Sequence, residues 1–246
     1  MAVYIERFRV RSYEVEPDGR LRLVVLLRML QETAWLHAQR LGKGFVDRSE
    51  GSFFWVLSRL RIELSQLPTW GEEFEIQTQP VGVEKLLAIR EFVMRRVSDG
   101  ETIGVAKSGW LVLDGGRGRP VRPQKLLEDI ELEPSVVTAD LSGIEPIASG
   151  ERLEALTRTE PAEARHHDID QYSHVNNAAY LEWVVDALPT ELREKHPSRL
   201  DLDFLKETVL GDRYEIVAEH QGRRAVSEVW RVDDQSPLCR IRFEFS

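Results

Sequence analysis

Apolar residues recur at three- and four-residue steps through Leu23, Leu26, Leu27, Leu30 and Ala34, which predicts one helix over residues 21–41 with a broad apolar face, ended by Gly42 and Gly44. The pattern then changes. Residues 53–64, 73–79, 86–97 and 103–113 are rich in β-branched and aromatic side chains and are divided by Pro68-Thr69-Trp70-Gly71 and Ser98-Asp99-Gly100, the punctuation of antiparallel strands. From Asp114 to about Glu160 periodicity fades among prolines and the Gly115-Gly116 pair, which predicts a connector laid across the surface. Beyond it the order returns. A strand leading into Asp168 precedes a helix over 176–188, and strands follow from Leu200, Tyr214, Ala225 and Leu238.

The two halves also align residue on residue. A shift of 154 places Arg11 on Arg165, Glu14 on Asp168, Val15 on Ile169, Glu16 on Asp170, Leu21 on Val175 and Leu27 on Leu181. A shift of 140 lays Ser58-Arg59-Leu60 on Ser198-Arg199-Leu200, Gly71 on Gly211 and Phe74-Glu75-Ile76 on Tyr214-Glu215-Ile216. Two blocks in the same order mark an internal duplication, the first copy carrying 14 more residues between its helix and its next strand. A long helix apolar on most sides needs a curved sheet wrapped around it. The expected fold is therefore α+β: two tandem hotdog domains, each a helix wrapped by a curved antiparallel sheet, paired as a pseudo-dimer because a lone unit exposes a sheet edge. The expected boundaries are 1–130 for the first unit, 131–160 for the connector and 161–246 for the second.

Composition narrows the partners. With 42% hydrophobic and 30% charged residues the chain can bury a core, and a net charge of -9 argues against nonspecific nucleic-acid binding. The single cysteine, Cys239, sits in an alternating strand pattern, reads as structural and allows no internal disulfide. The opening residues lack a signal-peptide pattern and no apolar run reaches the ~20 residues of a membrane span, so the expected compartment is the cytoplasm and no membrane partner is expected.

Titratable and amide groups concentrate where the second helix begins, in the run from His166 to Tyr180. Capping explains one or two of them. A helix start also offers unpaired N–H groups and a partial positive charge, suited to holding the oxyanion of a thioester under attack, while a neighbouring carboxylate and imidazole activate water. The duplication sharpens the choice. Asp170 faces Glu16, but His174 faces Arg20 and Asn177 faces Leu23, and Glu207 faces Leu67, an ionisable residue in an otherwise apolar strand pattern in one copy only. His166 and His167 precede the carboxylates and read as surface residues, and no spaced ligand set calls for a metal.

The segment Asp170-Gln171-Tyr172-Ser173-His174-Val175-Asn176-Asn177, followed by Tyr180, resembles the helix-entry motif of hotdog thioesterases. The chain from about residue 4 to its end resembles the acyl-acyl-carrier-protein thioesterases of plants and bacteria, with Ser12-Tyr13-Glu14-Val15, Leu30-Gln31-Glu32-Thr33-Ala34, Trp55-Val56-Leu57-Ser58-Arg59 and Pro68-Thr69-Trp70-Gly71 matching that family's first half. The resemblance implies hydrolysis of a fatty acyl-acyl carrier protein to free fatty acid, ending chain elongation, without cofactor. It implies catalytic roles for Asp170, His174 and Glu207 in the second copy and an acyl-chain pocket shaped by the first. The family's asparagine position is Tyr172 here, either a hydroxyl substitute or a packing residue, and Thr208 stands where a cysteine is expected. Asp170 or Glu207 is the expected base, His174 its partner, and the amides near Val175 and Asn176 the expected oxyanion donors. Acyl carrier protein is the expected partner, and a homodimer is compatible with the reading. An acyl-CoA thioesterase, a non-catalytic acyl-thioester sensor and a hotdog dehydratase or hydratase are the alternatives.

Overall fold

The computed structural model describes residues 3–44, 52–143 and 155–246, and its contacts divide the chain into two compact units, 1–141 and 142–246.

In the first unit β1 (Tyr4–Arg9), α1 (Leu23–Arg40), β2 (Phe53–Leu64), β3 (Glu73–Glu84), β4 (Leu87–Arg96) and β5 (Thr102–Asp114) follow in order, then the short β6 (Pro120–Val121) and α2 (Gln124–Leu127). The antiparallel sheet runs β1-β3-β4-β5-β2, with β6 added to β5. The helix forms where the periodicity predicts it. Its face of Val24, Leu26, Leu27, Met29, Leu30, Thr33, Ala34 and His37 is buried, and each fully buried leucine contributes about 1.5–3 kcal/mol. It ends in a Schellman turn: Lys43 N–H donates to Ala38 O at 2.8 Å and Gly42 N–H to Gln39 O at 2.9 Å. Gly42 takes φ +69, a conformation that a Cβ would strain.

The second unit contains β7 (Ala155–Arg158), β8 (Ala162–Glu163), a 3-10 turn over His166–Asp168, α3 (Asn177–Ala187), α4 (Thr190–Arg193), β9 (Pro197–Phe204), β10 (Arg213–Gln221), β11 (Arg224–Arg231) and β12 (Ser236–Phe245). Its sheet runs β9-β12-β11-β10-β7, with β8 also on β10. This is the first unit's order again. Phe8 opposite Phe74 becomes Ala162 opposite Tyr214, and the single β1 is split into β7 and β8 around Thr159-Glu160-Pro161.

Three expectations change. Asp168 closes a 3-10 turn rather than a strand, because its carboxylate accepts Arg165 N–H at 2.8 Å and folds the chain back. β3 runs on past Gln79 to Glu84, its register shifting between Pro80 and Gly82 so that the proline is accommodated at an irregularity. The expected connector, 131–160, is only partly connector. Residues 155–158 are an edge strand of the second sheet, and residues 134–141 lie along the first unit. There the buried Glu91 carboxylate accepts the N–H groups of Val136 at 2.9 Å and Val137 at 3.2 Å and the Ser135 hydroxyl, while Arg61 pairs with Asp140 at 2.5 Å. Residues 144–154 of that stretch and residues 45–51 lie outside the described residues. Among the described residues no helix is long and apolar enough to cross a membrane.

Candidate functional site

The duplication survives as hydrogen bonds. Arg22 N–H donates to Glu14 O at 2.9 Å and Asn176 N–H to Asp168 O at 2.8 Å; Leu21 N–H reaches Pro68 O at 2.9 Å and Val175 N–H reaches Thr208 O at 2.8 Å. The bridge between Val15 and Leu21 is repeated between Ile169 and Val175. Glu16 N–H meets Arg20 O, and Asp170 N–H meets His174 O, each at 2.8 Å. Each copy thus enters its helix through the same tight loop, whose penultimate residue is left-handed: Gly19 at φ +83 and Ser173 at φ +64. A non-glycine residue at such an angle carries strain that its surroundings must hold in place.

In the second copy the hold comes from Asp170. Its Oδ1 accepts the N–H of Tyr172 at 2.8 Å and of His174 at 3.4 Å, and its carbonyl accepts Ser173 N–H at 3.1 Å. The turn presents the His174 ring, largely buried, to the loop joining β9 and β10. His174 Nε2 lies 3.1 Å from Glu207 Oε2, while half of the Glu207 side chain faces solvent. Thr208, next in the chain, is fully buried, and its Oγ1 accepts the Tyr180 hydroxyl of α3 at 2.7 Å. Burial pushes the Tyr180 phenol well above its ordinary range, so it stays a donor. The site is therefore tied to both the helix and the sheet.

Of the sequence-predicted residues, His174 and Glu207 meet side chain to side chain. Asp170 joins them through the backbone it orders, and Tyr172 through its amide. The expected oxyanion donors are corrected: Val175 N–H and Asn176 N–H are spent on Thr208 O and Asp168 O, because the strand-like bridge extends to the helix entrance. Asn176 instead caps α3, its Oδ1 accepting Ala178 N–H at 2.9 Å. The amide of Asn177, the first helical residue, carries no intrahelical bond.

The first copy holds no such pair, with Arg20 and Leu67 at the corresponding places. There Arg20 bridges to Thr69 and Trp70 N–H donates to Gly19 O at 2.9 Å. The corresponding bond from Leu210 to Ser173 is not made among the described residues.

A family model described as the acyl-ACP thioesterase N-terminal domain matches residues 1–131, and one described as the C-terminal domain matches residues 149–243. The chain is 26% identical to a chloroplastic palmitoyl-acyl carrier protein thioesterase of Gossypium hirsutum, over 98% of this chain and 63% of that one. It is 29% identical to the chloroplastic oleoyl-acyl carrier protein thioesterase 1 of Arabidopsis thaliana, over 83% of this chain and 60% of that one. The chain thus spans about three fifths of the length of these plant relatives. A solved acyl-ACP thioesterase from Bacteroides thetaiotaomicron superposes with a TM-score of 0.85 at 28% identity, covering 100% of this chain and 98% of that one. The 12:0-ACP thioesterase of Umbellularia californica shares the fold, with a TM-score of 0.82 at 20% identity over 100% and 94% of the two chains. Two tandem hotdog units, matched in order by both domain models, place the result beyond a shared fold: the chain belongs to the acyl-ACP thioesterase family.

Proposed function

We propose that the chain hydrolyses the thioester of a fatty acyl-acyl carrier protein, with water activated at the His174–Glu207 pair of the second hotdog. The observation that carries the reading is the 3.1 Å approach of an imidazole to a carboxylate beside a helix start, in one copy of the duplication only. Glu207 takes the proton of a water that attacks the thioester carbonyl, and His174 orients the carboxylate through its Nε2. Asp170 keeps the His174 turn folded, and Tyr172 contributes the amide that ties this carboxylate down. The tetrahedral oxyanion is held by Asn177 N–H and the positive end of α3. Collapse breaks the C–S bond, the thiolate recovers a proton from the pair, and the products are a fatty acid and the carrier's free thiol. The first hotdog shapes the acyl-chain pocket, and the reaction belongs to the cytoplasm.

Matched acyl-carrier-protein and acyl-CoA substrates over a panel of chain lengths test the reading. Hydrolysis with a higher kcat/KM on the carrier protein is expected. A clear preference for CoA would reassign the carrier, and tight binding without turnover would remove the enzyme assignment.

A further inference from the structure

Glu207 sits in the eight-residue loop between β9 and β10, and half of its side chain is in water, so its aim depends on what anchors its backbone. Arg231, the last residue of β11, provides one anchor. Its Nη2 donates to Glu207 O at 2.6 Å and lies 3.2 Å from Asp212 Oδ2, while its Nη1 lies 3.5 Å from Asp234 Oδ2. Asp212 Oδ2 in turn accepts Val209 N–H at 3.1 Å, two residues past Glu207. The Arg231 Nε is buried and has no acceptor among the described residues, so this guanidinium is committed to the loop at the expense of one of its own donors.

The first copy contains the same knot. Arg96, the last residue of β4, pairs with Glu72 at 2.6 Å and with Asp99 at 2.9 Å, and Glu72 accepts Thr69 N–H at 2.9 Å. The arginine with an acid three residues on, Arg96 with Asp99 and Arg231 with Asp234, is thus part of the duplicated scaffold. The remaining contacts differ, Arg96 also pairing with Glu101 at 2.5 Å. Arg96 Nη2 donates to the Gln66 side chain at 2.6 Å, whereas Arg231 Nη2 donates to the main-chain carbonyl of Glu207.

We infer that Arg231 is a positioning residue for the hydrolysis: a scaffold arginine whose donor fixes the Glu207 carbonyl and so directs the Glu207 carboxylate at His174. The inference rests on the reading that this pair activates water. Arg96 supplies an internal control, because a merely structural knot predicts equal consequences in the two copies.

The test measures thermal stability, kcat and KM of the full chain on an acyl-acyl carrier protein for Arg231→Gln, Arg231→Lys, Arg96→Gln, Glu207→Gln and the double variant Glu207→Gln/Arg231→Gln. The two glutamine-for-arginine variants are expected to lose similar stability. Only Arg231→Gln lowers kcat, by about 10- to 100-fold, the scale of a misplacement near 1 Å, with KM within about twofold. Arg231→Lys recovers part of the loss, and the double variant is no slower than Glu207→Gln alone. If Glu207→Gln keeps its activity, the water-activating pair itself is wrong. If Glu207→Gln is inactive while Arg231→Gln loses no more kcat than Arg96→Gln, the pair stands and the positioning role falls. Should Arg231→Gln not be recovered folded, Arg231→Lys against Arg96→Lys decides by the same comparison of kcat.

Discussion

Replacing Thr208 with valine keeps the shape of a fully buried side chain and removes the oxygen that accepts the Tyr180 hydroxyl at 2.7 Å. The phenol is left with Lys206 O at 3.4 Å, a stretched bond, and burial prevents it from escaping by ionisation. A buried donor stripped of its acceptor costs about 1–3 kcal/mol. Tyr180→Phe alone removes the donor and leaves Thr208 with an unfilled acceptor, at a cost of about 1–2 kcal/mol. The double variant replaces both partners by apolar groups of similar shape, so it should lie close to the costlier single variant rather than at the sum, giving a coupling of about 1 kcal/mol. For a chain of this length, 2 kcal/mol corresponds to roughly 4–8 °C in Tm. Thermal and urea unfolding followed by circular dichroism read the cycle. A Thr208→Val variant as stable as the parent, or strictly additive costs, would show that the hydroxyl pair does not join α3 to the Glu207 loop.

Other consequences follow from the same geometry. Glu207→Gln should lower turnover by about 10²–10⁴-fold, the usual weight of a general base. It should shift stability by less than ~1 kcal/mol, since an ion pair whose carboxylate is 50% exposed contributes little; parallel losses of both would mark Glu207 as scaffold. Tyr172→Phe should keep kcat within about threefold, because it is the amide that meets Asp170, and a loss near the ~10²-fold of a missing acid–base group would bring the hydroxyl into the chemistry. Burial pushes the Cys239 thiol up, so the folded chain keeps it protonated at pH values where the unfolded chain, titrating near roughly 8.5, ionises. Its contribution to stability is complete below that value and falls by up to about 1.4 kcal/mol per pH unit above it. Cys239→Ala should therefore show a shallower fall in unfolding free energy between pH 8.5 and 10, measured by urea titration, and the parent thiol should label no faster than the chain unfolds.

What was legible in the sequence was whatever repeats locally. Leu23 to Ala34 announce α1 because one face must be apolar, and Phe53 to Leu64 coincide with β2 because turn residues bound them on both sides. His174 and Glu207 were legible through the duplication, which exposed Arg20 and Leu67 as their counterparts, and through the family resemblance that implies their roles. Asp168 was misread as a strand residue because capping by a carboxylate depends on one side-chain bond that periodicity does not register. The packing of residues 134–141 left a signal that went unread. Val137, Ala139 and Leu141 are buried while Val136, Thr138 and Asp140 are exposed, a period of two hidden among prolines. That the amides of Val175 and Asn176 are already spent could not be read from the sequence, because the reach of the Ile169–Val175 bridge toward the helix is a tertiary property, set by Thr208 from across the fold.

The central claim is that the chemistry resides in the later copy, while the earlier one supplies scaffold and acyl-chain pocket. Comparing His174→Ala with Arg20→Ala, its counterpart in the first copy, in single-turnover release of free thiol from an acyl-acyl carrier protein tests it most directly. The account predicts a fall of at least about 100-fold for His174→Ala and an unchanged rate for Arg20→Ala. Equal effects, or near-parental turnover by His174→Ala, would contradict it.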